Sequence, residues 1–86
     1  MNVYYVYVLW NKKHAKPYTG QTDDLEKRLA QHNDPEQTLT RYTKRYDGGW
    51  ELIHQEKYAT RREAIIRERE LKTGNGRAWL KANVYP

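Results

Sequence analysis

Near the start of the chain lies a run of β-branched and aromatic residues, Tyr5-Val6-Tyr7-Val8-Leu9-Trp10. Six polar or small residues, 11–16, interrupt it before a second short run, Pro17-Tyr18-Thr19-Gly20. This pattern predicts a β-hairpin. Strand side chains alternate, so Tyr7 is expected to share a face with Tyr5 and Leu9. Gly20, with no side chain, leaves space beside Tyr18 for something to approach the backbone.

After the hairpin the spacing becomes helical. Asp23 with Glu26 three residues on reads as a capping box, and the helix is expected to run to Asn33, where Asp34-Pro35 stops it. Leu25 and Leu29 mark its buried stripe. Arg28 and His32, four apart, fall along one border of that stripe, facing the seam between helix and sheet. Residues 34–46 are polar, show no clear period and read as a loop. Asp47-Gly48-Gly49 reads as a turn, and residues 50–58 as a third strand carrying Leu52 and Ile53. Thr60 with Glu63 is a second capping box, opening a helix whose apolar arc is Ala64, Ile65 and Leu71. Gly74 reads as a helix stop, and residues 77–82 as a short last helix packing through Trp79 and Leu80. The order is β-β-α-β-α-α: an α/β protein of the α+β type, a small three-stranded antiparallel sheet flanked by helices.

Composition narrows this picture. At 86 residues the chain is expected to form one domain spanning 1–86, with a single modest core. Phe is absent, so aromatic burial rests on three tryptophans and eight tyrosines, each with a polar handle suited to a partly wet groove. The absence of cysteine excludes disulfides and thiolate metal sites and fits a reducing compartment. No apolar run reaches the ~20 residues of a membrane helix, and no basic leader precedes the first strand. A cytoplasmic protein with no membrane partner is therefore expected. A net charge of +5 favours a polyanionic partner.

The candidate chemistry starts at Glu68, which falls near the middle of the apolar arc. A carboxylate there is costly to bury unless it is paired or coordinates a metal. One carboxylate is enough to hold magnesium when water and phosphate oxygens fill the other positions. Arg28 can stabilise charge that develops on a phosphate under attack. A tyrosine hydroxyl beside a metal and an arginine can lose its proton more easily and act as general base, while His32 can order water or protonate a leaving group. Arg41, Lys44 and Arg45, interleaved with tyrosines, suit phosphate contacts and base stacking, or an ordinary exposed loop. Other chemistries fit less well. The three histidines lack paired zinc spacing, no phosphate-cradling glycine loop follows a strand, and the chain contains no serine.

Taken together, Tyr5-Val6-Tyr7, Tyr18-Thr19-Gly20, Arg28 with His32, and Glu68 in a late helix resemble the GIY-YIG nuclease domain over nearly its full length. The steps of eleven residues from Tyr7 to Tyr18 and ten from Tyr18 to Arg28 fit that family's spacing. The resemblance is closest to small stand-alone members of excinuclease type, whose last third similarly reads Glu-Leu-Lys, a glycine pair, Arg, an aromatic and Leu-Lys. It departs at Tyr5, where glycine is typical, and at Thr19, where Ile or Val is typical.

The resemblance implies metal-dependent hydrolysis of a phosphodiester in DNA, with water as nucleophile and one divalent ion, Mg2+ or Mn2+. Branched or damaged DNA and a role in DNA repair go with it, and no small-molecule cofactor does. By this resemblance Tyr7 matches the base and Tyr18 a second tyrosine that positions water or phosphate. Gly20 matches the motif glycine, Arg28 the phosphate-stabilising arginine, His32 the accessory histidine and Glu68 the metal ligand. Asn75 and Asn83 both remain candidates for an asparagine that many family nucleases add near the C-terminus. Two rivals stand beside the endonuclease. One is a nucleic-acid-binding module on the same fold that cuts weakly or not at all; the other is a partner-binding subunit in which Tyr7, Tyr18 and Glu68 are core polar residues.

Overall fold

The computed structural model describes residues 3–34 and 41–86, with the backbone alone for Arg41 and Lys44. Three antiparallel strands, β1 (Tyr4–Asn11), β2 (Lys16–Thr22) and β3 (Glu51–Tyr58), form a sheet in the order β2-β1-β3. The central strand β1 is the most apolar, and Val6, Tyr7, Val8 and Leu9 are all buried. The expected hairpin is present. Residues 12–15 make its turn, with Ala15 at φ 53°, and the register sets Tyr7 opposite Gly20 and Leu9 opposite Tyr18. Between β1 and β3 the register shifts at Val8/Leu9, a bulge that brings Leu52 opposite Leu9.

Alternation along β1 divides the core in two. Val6 and Val8 pack with Ala64, Leu71 and Leu80 beneath helices α3 (Arg61–Leu71) and α4 (Gly74–Asn83). Tyr7 and Leu9 face the other way, packing with Trp50, Tyr18, Leu25 and Leu29 under α1 (Leu25–Asn33). Each fully buried aliphatic side chain stabilises the fold by about 1.5–3 kcal/mol. Among the described residues no helix is long and apolar enough to cross a membrane.

The order β-β-α-β-α-α holds for the long elements, and a short helix, α2 (Arg41–Arg45), is added before β3. Residues 41–45 were expected to be loop because Arg-Tyr-Thr-Lys-Arg has no apolar period. Tertiary contacts fix this turn instead: Thr43 is buried, and the Trp50 Nε1 donates to its carbonyl at 3.1 Å. Asn11, fully buried at the end of β1, donates to the carbonyls of Tyr46 and Asp47 at 3.1 and 2.9 Å, tying the segment after α2 to the hairpin. The expected loop residues 35–40 lie outside the described residues.

Two helix boundaries also differ. Asp24, not Asp23, caps α1, accepting from the Lys27 amide at 3.1 Å; two adjacent aspartates offer the same acceptor, and Thr22, bonded to the Asp24 amide, selects the second. Thr60 caps α3 as expected, accepting from the Glu63 amide. Helix α4 begins at Gly74, earlier than expected, because Thr73 caps it through the Gly76 amide. Gly76 lies where a Cβ would strike the Glu70 carbonyl, so its bareness lets the two helices meet closely.

Candidate functional site

The β1–β2 register places Tyr7, Gly20 and Tyr18 on the α1 face of the sheet. Sequence reading left the space over Gly20 for an approaching group. The structure fills it with Tyr7 itself: a Cβ on Gly20 would lie 2.6 Å from the Tyr7 hydroxyl and 3.0 Å from Cε2 of Tyr18. Gly20 thus lets Tyr7 lie across β2, with the two tyrosine ring centroids 6.2 Å apart.

Helix α1 brings His32 over both rings, at centroid distances of 5.9 Å to Tyr7 and 4.9 Å to Tyr18. The Tyr7 hydroxyl and His32 Nε2 are 2.9 Å apart in a buried hydrogen bond. On the far side of the imidazole, Nδ1 is 3.2 Å from Oγ1 of Thr43. Tyr7, His32 and Thr43 therefore form a continuous buried chain from β1 through α1 to α2. One helical turn before His32, Arg28 carries a buried Nε with no hydrogen-bond partner. A guanidinium N–H kept from water without an acceptor is costly, and an incoming anion would satisfy it.

Glu68 comes from α3, on the opposite face of the sheet, yet its charge reaches both tyrosine hydroxyls. Burial pushes the Tyr7 hydroxyl well above the ordinary tyrosine value, and Tyr18 and Glu68 add to the rise while the nearby Arg28 guanidinium opposes it. Tyr18 is raised in the same way, by burial first, with Arg28 again opposing and Glu68 adding. Tyr7 is thus a neutral hydroxyl at rest. The Glu68 side chain is 20% exposed, and its Oε1 lies 3.7 Å from Nζ of Lys72, one helical turn on. Its partner is therefore a half-exposed lysine.

Among the described residues no group of three or more His, Cys, Asp or Glu side chains could cage a metal. Glu68 offers a single carboxylate, which suits a hydrated magnesium or manganese ion whose other positions are filled by water and phosphate oxygens.

Tyr7, Tyr18 and His32 therefore pack together over Gly20, with Arg28 beside them and Glu68 near enough for its charge to act on both tyrosines. Arg45 is exposed at the end of α2, and the side chains of Arg41 and Lys44 lie outside the described residues. Neither candidate asparagine joins this group among the described residues: Asn75 is exposed, and Asn83 donates to the Trp79 carbonyl one turn back. Sequence reading missed Thr43, Lys72 and the role of Trp50. Lys72 could have been found from its i,i+4 spacing to Glu68. Thr43 carries no sequence signal, since a neutral residue in a polar stretch marks no chemistry.

Residues 3–82 match the family model described as the GIY-YIG catalytic domain. The chain belongs to the GIY-YIG family, and this membership supports a nuclease-type function with a nucleic acid as substrate. Within the family it is similar to the UPF0213 proteins: 36% identical over 81 residues to that of Staphylococcus saprophyticus and 35% to that of Staphylococcus haemolyticus, each match covering 94% of both chains. The solution NMR structure of the UPF0213 protein BH0048 from Bacillus halodurans is similar in fold, with a TM-score of 0.54 at 26% identity, over 93% of this chain and 83% of that one.

Proposed function

We propose that this chain is a divalent-metal-dependent endonuclease that hydrolyses phosphodiester bonds in DNA by tyrosine-assisted attack of water. The observation that carries this reading is the convergence of a buried tyrosine–histidine hydrogen bond, an arginine Nε without a partner and a carboxylate at the same place. A phosphate entering there meets the Arg28 guanidinium, which gains its missing acceptor and balances the charge that grows on the phosphate oxygens during attack.

With the Nδ1 proton of His32 donated to Thr43 Oγ1, the lone pair on Nε2 faces the Tyr7 hydroxyl. Tyr7 can then take a proton from the attacking water as its own passes to His32. This relay suits a tyrosine whose burial disfavours a standing phenolate. Tyr18, stacked beside them, orients the water or a phosphate oxygen. Glu68 would hold Mg2+ or Mn2+, and the bound ion would supply Lewis-acid charge against the phosphate and the departing oxygen. Lys72 Nζ lies 3.7 Å from the Glu68 carboxylate and balances its charge.

Supercoiled plasmid and branched DNA, incubated with the protein in magnesium or manganese, provide the test. Nicking that EDTA abolishes and that Arg28→Ala and Tyr7→Phe lose while remaining folded is the expected result. Nicking by Tyr7→Phe at the wild-type rate would overturn the relay, and no nicking under any metal would leave the chain a binding module.

A further inference from the structure

Beside Tyr18, along the outer edge of β2, runs a groove of about 470 Å3 that extends past the residues assigned above. Residues 17–19 of β2, with Tyr18 among them, line it together with Tyr42, Tyr85, Leu71, Lys72 and Arg77. Its volume lies in the range of ligand sites, about 300–1,000 Å3. Three features bear on what would fill it. The walls are aromatic, with Tyr42 packed 5.9 Å from Tyr18 and Tyr85 held 5.3 Å from Trp10. Both cations are accessible: Lys72 is 52% exposed, and Arg77 has no acidic partner among the described residues. The groove is also continuous with the candidate active site, because it shares Tyr18, and its Lys72 is the residue paired with Glu68. Tyr42, Tyr85 and Arg77 line the same groove, and burial raises the Tyr85 hydroxyl, with Tyr42 adding and Arg77 opposing.

We propose that this groove is a slot for one unpaired nucleotide of DNA next to the scissile phosphate, its base held among Tyr42 and Tyr85 and its phosphate by Lys72 and Arg77. The argument rests on the nuclease reading for the phosphate at Arg28, and on charge and shape for the rest. A groove lined by tyrosines accepts a base that has left its stack, since every base has a π-face, and offers nothing to the face of one that is still paired. A paired helix would present only its backbone to Lys72 and Arg77 and leave the rings without contact.

The test is fluorescence anisotropy on the wild-type chain in EDTA with three duplexes of one sequence: fully paired, with one bulged nucleotide, and with that nucleotide lacking its base. The bulged duplex is expected to bind about tenfold tighter than the other two. Tyr42→Leu should remove the preference, and Arg77→Ala, an exposed change, should lower the salt dependence of bulged binding by about one phosphate contact. Equal binding to bulged and base-free duplexes, or a salt slope unchanged by Arg77→Ala, would overturn the slot. Failure here and failure of the nuclease reading are distinguishable. A chain that shows the preference but never nicks DNA with metal keeps the slot and loses the nuclease; one that nicks yet binds all three duplexes alike loses the slot alone.

Discussion

Two polar clusters occupy opposite faces of this small sheet, and they differ in how fully their groups are satisfied. Facing α3, both oxygens of Glu56 are saturated: Arg67 donates from two nitrogens at 2.8 and 3.2 Å, Tyr58 donates at 2.6 Å, and His54 Nε2 lies at 2.8 Å. Arg67 also covers the Trp79 ring at 5.2 Å. Facing α1, the Tyr7 hydroxyl is bonded to His32 and to the Arg28 guanidinium, whose Nε has no partner among the described residues. The pKa directions separate in the same way. Burial would raise the Glu56 carboxyl, but hydrogen bonds from Arg67, His54 and Tyr58 outweigh it and bring it down to about 2. On the other face, burial of Tyr7 and Tyr18 is only partly offset by Arg28. A closed network holds the fold, whereas one that leaves a buried guanidinium N–H without an acceptor has room for a further partner.

Substitutions should separate the clusters. The largest effect is expected at Arg28→Ala, which should lower the rate of DNA cleavage by about 10²–10³-fold with little change in melting temperature. Tyr7→Phe should cost about a hundredfold in single-turnover rate. It should also flatten an alkaline loss of stability. The Tyr7 pKa is raised above its ordinary 10.0, so the stability of the neutral hydroxyl is full below that pH and lost as pH climbs past it. Thr43→Val, which leaves His32 Nδ1 without its Oγ1 partner, should slow the reaction about tenfold and alter the pH–rate profile more than substrate binding.

The smallest effect on activity belongs to the closed cluster. Glu56→Gln should leave cleavage unchanged and destabilise the fold by about 2 kcal/mol, read by urea denaturation. Because the Glu56 carboxyl is lowered from 4.5 to about 2, its contribution is present above pH 4.5 and fades as pH falls toward 2. The variant should therefore show a weaker acid dependence over that window. An unchanged acid profile would mean that the network contributes nothing to stability.

The strands, the hairpin register and the Thr60 cap were legible because local chemistry alone decides them: β-branched runs, alternation and a hydroxyl three residues before a glutamate. Tyr7 and Tyr18 took their roles from the resemblance to the GIY-YIG domain, whereas Glu68 could be marked from the helical wheel and Arg28 with His32 from their four-residue spacing. Helix α2 could not, since it is stabilised by Trp50 and by the Asn11 tether, contacts made from outside its own five residues. Gly20 was seen as a gap, but that a tyrosine thirteen residues earlier fills it depends on register and on ring direction together. Glu68 was marked from the helical wheel. That its charge reaches both tyrosines from the other side of the sheet emerges only once α3 is packed against it.

The most direct measurement compares one carboxylate from each cluster. Glu68→Gln and Glu56→Gln are assayed side by side with wild type for metal-dependent nicking of plasmid DNA under single-turnover conditions. The expected result is a loss of about 10²–10³-fold for Glu68→Gln and a wild-type rate for Glu56→Gln. Equal nicking by wild type and Glu68→Gln would contradict the assignment of this site.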